Sequence, residues 1–190
     1  MKKKQKSVQT MIFVALFATL MCIGAWIHFP GPVPATMQTF VVFAALGLMG
    51  SRNTFIMLCV YIALGAVGLP VFSGFNSGFG ALTGPTAGFV WGFLMGVPVF
   101  YIFEKYFSHK KSLIIIGYII YILIHYIPGA LWYCRFTAGE INLPGLLSST
   151  LVTVVPFIIP DGVKLFLALL VIEKIRKISI LRLPTSDLRY

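Results

Sequence analysis

Apolar runs leave this chain little choice of fold. Read by hydropathy, with about 20 residues needed to cross a bilayer, the sequence offers six: Val8–Ile27, Met37–Gly50, Thr54–Leu69, Thr86–Phe107, Ser112–Tyr133 and Pro160–Ile175. The second and third are short, and the third ends in a Gly/Pro-rich stretch that leaves room for a re-entrant segment. Soluble domains are about a quarter charged, whereas this chain is 58% hydrophobic and 11% charged. These features predict an all-α integral membrane protein, one membrane domain over residues 1–190 with six transmembrane helices. The first run follows four lysines, as a signal peptide would, but it is long enough to span and no A-x-A-like site follows it.

The basic residues set the orientation. Lys2, Lys3, Lys4 and Lys6 precede the first span, and Arg52 separates the second and third. Lys105, at the end of the fourth, joins Lys110 and Lys111 between the fourth and fifth, and Lys174, at the end of the last, joins Arg176, Lys177, Arg182 and Arg189 beyond it. With an even number of spans these 13 of the 15 basic residues share one side, leaving Arg135 opposite and Lys164 inside a span. By the positive-inside rule both termini are cytoplasmic. The net charge of +10 is then topology, with attraction to anionic lipid as a by-product, and predicts no nucleic-acid partner.

The stretch V-V-P-F-I-I-P-D-G-V-K, Val154–Lys164, breaks the apolar pattern by setting Asp161 and Lys164 three residues apart. Ionisable groups at membrane depth are expensive and by default face a cavity or a partner. A helix starting near Pro160 would put both on one face and aim its free N–H groups and positive dipole end at a ligand anion. The alternative is a self-neutralising pair that merely lets the helix insert.

The loops opposite the basic side hold the remaining unusual chemistry. Loop one, H-F-P-G-P-V-P-A-T-M-Q, carries three prolines and reads as a stiff, extended connection. Loop two alternates glycine with Phe72, Phe75 and Phe79 around Asn76. Glycine permits close backbone approach and the rings supply flat apolar walls, so it reads as a lid or pocket wall, or else as an interfacial aromatic belt. Gly88, Gly92 and Gly96 form a packing stripe in the fourth span, and Ala15–Thr19 and Ala18–Cys22 a weaker one in the first. His125 in the fifth span is expected to be satisfied by a neighbour, and Trp132 and Tyr133 to lie in an aromatic belt. Cys22, Cys59 and Cys134 show no C-x-x-C spacing and read as small packing residues, with neither a metal nor a disulfide implied. No H-E-x-x-H, G-x-S-x-G, P-loop or EF-hand occurs, and the five acids form no catalytic pair. What remains is a binder that feeds a transport step powered elsewhere, with no cofactor and no enzymatic activity.

Five segments together resemble the BioY family, the biotin-binding S component of energy-coupling-factor (ECF) vitamin transporters. They are P-V-P-A-T-M-Q-T (Pro32–Thr39), Y-I-A-L-G-A-V-G-L-P-V-F (Tyr61–Phe72), G-P-T-A-G-F (Gly84–Phe89), Y-I-P-G-A-L-W (Tyr126–Trp132) and V-P-F-I-I-P-D-G-V-K (Val155–Lys164). The resemblance implies a six-helix protein in the plasma membrane of a prokaryote that binds biotin on the outer side. Its implied partners are a transmembrane coupling subunit (EcfT-type) and two cytoplasmic ATPase subunits. It also implies that Asp161, Lys164 and Asn76 belong to the binding site. The family's docking signature on the first helix falls here on Ala15 and Thr19, with Ala18 and Cys22 beside them. The biotin thiophane side fits against Phe75, Phe79 and Tyr126, and Thr36 and Gln38 complete the expected site. Asp161 and Asn76 are expected to meet the ureido group, and Lys164 or the start of the sixth span the carboxylate. Alternatives are an S component for another small vitamin, a carrier that oligomerises and works alone, and a membrane enzyme using His125 and Asp161.

Overall fold

The structure is a computed structural model that describes the backbone of residues 2–178 and the side chains from Val8 onward. The side chains of Lys2, Lys3, Lys4 and Lys6, and residues Arg182 and Arg189, on which part of the charge argument rests, lie outside the described residues. The chain runs through α1 (Lys2–Trp26), the strands β1 (His28–Phe29) and β2 (Ala35–Thr36), and α2 (Gln38–Ala66). A 3-10 turn (Ser73–Phe75), α3 (Gly78–Thr83), α4 (Ala87–Phe107), α5 (Lys111–Ala138), α6 (Leu143–Thr153) and α7 (Val155–Lys177) follow. Five helices, α1, α2, α4, α5 and α7, are long and apolar enough to cross a membrane among the described residues.

The difference from the six predicted runs lies at Gly50. Runs two and three merge into α2, but Gly50 sits at φ 76°, ψ 167°, a region that essentially only glycine enters. In an unbroken helix Gln38 and Tyr61 would lie roughly 35 Å apart at 1.5 Å per residue. Instead Gln38 Nε2 donates to the Tyr61 hydroxyl at 2.7 Å, so the arms 38–49 and 51–66 fold back on each other. Neighbouring helices satisfy the turn. The Ser51 N–H donates to the Glu104 carboxylate at 2.8 Å and its hydroxyl to the same oxygen, while the Arg176 guanidinium donates to the Gly47 carbonyl. Lys111 lies 3.7 Å from Glu173 at this same end. Apart from Arg135, Glu140, Asp161 and Lys164, the described charges gather where α2 turns, α4 ends, α5 begins and α7 ends.

Glycine sets how closely the helices pack. A Cβ on Gly88 would fall 2.3 Å from the Pro128 carbonyl oxygen, one on Gly92 2.4 Å from that of His125, and one on Gly96 2.6 Å from the Tyr121 ring. The stripe read from the sequence is the α4–α5 seam. On the other side of the bundle α2 packs on α1, α4 and α7, and a Cβ on Gly47 would meet Ile172 at 2.3 Å. Between the seams, Phe43 and Phe100 pack against Tyr118, with centroids 5.8 and 4.6 Å apart. The fully buried Tyr118 and Tyr121 donate their hydroxyls to the carbonyls of Phe43 and Phe93, each at 3.2 Å, as buried tyrosines require.

Three sequence expectations need correction. The last helix starts at Val155, with Pro156 in its first turn and Pro160 inside it. Pro156 is tolerated where no intrahelical N–H bond is lost, and Pro160 removes one bond that a membrane helix can forgo within a bundle. No helix start therefore lies at Asp161. The stretch Cys134–Leu147, which lies outside the six predicted runs, continues α5 to Ala138, turns at Gly139 (φ 76°), and enters α6. Asn142 caps α6 by accepting from the Gly145 N–H at 2.8 Å. Finally, Cys22 and Cys134 are buried but Cys59 is exposed, so it is no packing residue.

Candidate functional site

At the end of the bundle away from the Gly50 turn, the two loops and α2, α4, α5 and α7 enclose a cavity of ≈ 510 Å³, within the usual range for small-ligand sites. Loop one supplies one wall. Its prolines favour extended backbone, and β1 and β2 pair antiparallel with His28 opposite Thr36. That pairing turns the Thr36 carbonyl toward α7, where Lys164 Nζ donates to it at 2.7 Å.

Asp161 is the hub of the polar cluster. It is 3% exposed. Its Oδ1 accepts from Lys164 Nζ at 2.8 Å and from the Thr39 hydroxyl at 2.8 Å, and its Oδ2 from the Tyr126 hydroxyl at 2.6 Å. One carboxylate thus joins α2, α5 and α7, its charge balanced by an ammonium one helical turn away. A buried charge is tolerable only when paired and hydrogen-bonded in this way. Lys164 spends two of its three N–H donors on Asp161 and Thr36. Beside the pair, the Thr36 hydroxyl donates to Gln38 Oε1 at 3.0 Å, and the Tyr61 hydroxyl passes on to the Val71 carbonyl at 3.1 Å.

Six of the eight expected binding residues line the cavity: Thr36, Gln38, Asn76, Tyr126, Asp161 and Lys164. Asn76 Nδ2 donates to the Ser73 carbonyl of its own loop at 2.8 Å, which spends one of its two amide N–H donors. Phe75 and Phe79 do not line it. Phe75 adopts φ 58° and stacks on Trp26 with centroids 5.2 Å apart, and Phe79 is 73% exposed. The apolar walls come instead from Phe72, Phe89, Phe93 and Phe157, of which loop composition disclosed only Phe72. Thr39 and Tyr61 were also missed, although both stand inside segments that carried the resemblance. On α1 the two small pairs diverge: Ala15 and Thr19 are exposed, whereas Ala18 and Cys22 are buried in the bundle.

A multi-pass helical bundle with a semi-enclosed cavity and one neutralised ion pair in its wall defines a membrane protein built to hold a small polar ligand. Comparison with known proteins narrows that class. The BioY family model matches residues 1–180. A probable biotin transporter BioY of Pyrococcus horikoshii is 33% identical over 177 residues, covering 93% of this chain and 98% of the relative. The biotin transporter BioY of Thermotoga maritima is 32% identical over 180 residues, covering 92% and 100%. The fold matches the crystal structure of the S-component for biotin from an ECF-type ABC transporter, with TM-score 0.76 at 24% identity, over 91% of this chain and 93% of that one. The chain belongs to the BioY family.

Proposed function

We propose that this protein is the biotin-capturing S component of an ECF-type ABC transporter, binding biotin from outside a prokaryotic cell for ATP-driven uptake. The observation that carries the reading is the Asp161 hub, which holds a carboxylate and an ammonium side by side in the wall of a cavity of ligand size. Biotin offers matching groups: two ureido N–H donors, a carbonyl, an apolar thiophane ring and a carboxylate. Asp161, Asn76, Gln38 and Thr36 serve the ureido end, and Tyr126 with the phenylalanine walls the ring. The spare N–H of Lys164 serves the carboxylate, since no helix start is present to do so.

In this reading the two arms of α2 each cross the bilayer, giving six crossings with both termini cytoplasmic, and the cavity opens outward. The exposed face of α1 bearing Ala15 and Thr19 docks on an EcfT-type coupling subunit, whose two ATPase partners power release. The test is equilibrium binding of biotin to the detergent-purified chain, with thiamine and riboflavin as controls. Biotin-selective, one-to-one binding is expected, and binding of a control vitamin in its place would overturn the assignment.

A further inference from the structure

Among the described residues, the buried side-chain polar atoms that lack a hydrogen-bond partner are Ser73 Oγ and His125 Nδ1. Both residues line the cavity. A buried polar atom left unpaired is costly, and native interiors hold few of them.

His125 is the more deeply placed of the two. It is 3% exposed, and its Nδ1 has no hydrogen-bond partner. Its ring is nonetheless held firmly. It stacks on Phe93 with centroids 4.2 Å apart and planes at 22°, and lies 5.7 Å from the rings of Phe89 and Tyr126. Gly92 makes room for it, since a Cβ there would come within 3.1 Å of Nδ1. The imidazole is thus fixed in orientation at the cavity wall, with Nδ1 unpartnered beside Gly92.

The acceptors around it are largely occupied. Asp161 already takes three donors, from Thr39, Lys164 and Tyr126, and a carboxylate has about four acceptor positions. Asp161 can therefore receive about one further N–H. A ureido group brings two, side by side. A neutral imidazole keeps one lone pair whichever nitrogen holds the proton.

We propose that His125 is a ligand-binding residue that accepts one ureido N–H while Asp161 accepts the other, and so sets the preference for a cyclic urea. This rests on the biotin reading above. The test compares wild type with H125F, which keeps an aromatic ring on Phe93 but removes both nitrogens, and with H125Q, which restores an acceptor. Biotin and its two ureido N-methyl analogues are titrated against each purified, full-length protein, with thermal unfolding measured alongside. H125F should bind biotin roughly tenfold more weakly, the effect of one buried hydrogen bond, and H125Q should recover part of the loss. One of the N-methyl analogues, lacking the donor that His125 serves, should bind H125F and wild type alike. Equal loss for biotin and both analogues would reduce His125 to packing and overturn the proposal, as would wild-type biotin affinity in folded H125F. If H125F does not fold, wild-type affinity in H125A overturns it equally. Wild-type protein that ignores biotin overturns the functional reading itself, a distinct result.

Discussion

The Tyr126 hydroxyl donates to Asp161 Oδ2 at 2.6 Å and ties α5 to α7 at the cavity wall. The bond is charge-assisted and nearly solvent-free, so it outweighs an ordinary neutral one. Tyr126→Phe keeps the ring and removes only the donor. We expect biotin affinity to fall roughly tenfold, from the loss of about 1.5 kcal/mol, with the fold intact. Calorimetric titration of the variant checks this, and an unchanged Kd would remove Tyr126 from the site.

Asp161→Asn should do more. It leaves the Lys164 ammonium, whose side chain is 12% exposed, without its counter-charge, and breaking a buried pair from one side costs about 3–5 kcal/mol. Binding should drop at least a hundredfold and the unfolding temperature should fall. The double variant Asp161→Asn/Lys164→Met should regain stability but not binding, because the stranded charge is gone while the acceptor is still missing. Thermal shift and titration on the same samples separate the two effects. Recovery of binding in the double variant would mean that the pair serves insertion alone.

The sequence disclosed those parts of the molecule that hydropathy and charge dictate directly. Asp161 and Lys164 announced themselves because apolar runs rarely carry ions, and the α4 glycines because their spacing matches a helix face. It misled where two local signals compete. Pro160 looked like a helix start, yet α7 already runs from Val155, and a proline inside a membrane helix gives no mark of its own in the sequence. Phe75 and Phe79 promised ligand walls by residue type, but a loop's composition does not fix which way its rings turn. The φ of 58° at Phe75 sends that ring to Trp26. Thr39 was hidden for the opposite reason: a threonine in a helix ordinarily bonds its own backbone, and its bond to Asp161 spans 122 residues.

The glycine seam between α4 and α5 yields a stability prediction with an internal control. Gly92→Ala sets a Cβ 2.4 Å from the His125 carbonyl oxygen, which is backbone and cannot step aside. The helices must part, at a cost of about 1–3 kcal/mol, and the His125 ring would shift with them. Gly80→Ala, in α3, meets nothing within 4 Å and should be neutral or slightly stabilising, since alanine suits a helix better. Thermal unfolding in one detergent compares them. Equal behaviour of the two variants would show that the seam is loose.

Trp26 ties the second loop to the end of α1. Its indole N–H donates to the Pro70 carbonyl at 2.9 Å and its ring stacks on Phe75, so the end of α1 holds the loop at two points. Trp26→Leu removes both contacts, together about 1–2 kcal/mol of the closed arrangement. The cavity lining itself is untouched, since Trp26 does not border it. Release of bound biotin should therefore accelerate roughly tenfold. Association should quicken or stay the same, because an open loop obstructs entry less. Stopped-flow exchange against excess unlabelled ligand measures both rates. A slower association with unchanged release would mean that Trp26 shapes the entrance and does not hold the loop. Because α1 also carries the exposed Ala15–Thr19 face, a release rate sensitive to Trp26 would give a partner docked on that helix a direct mechanical route to the lid.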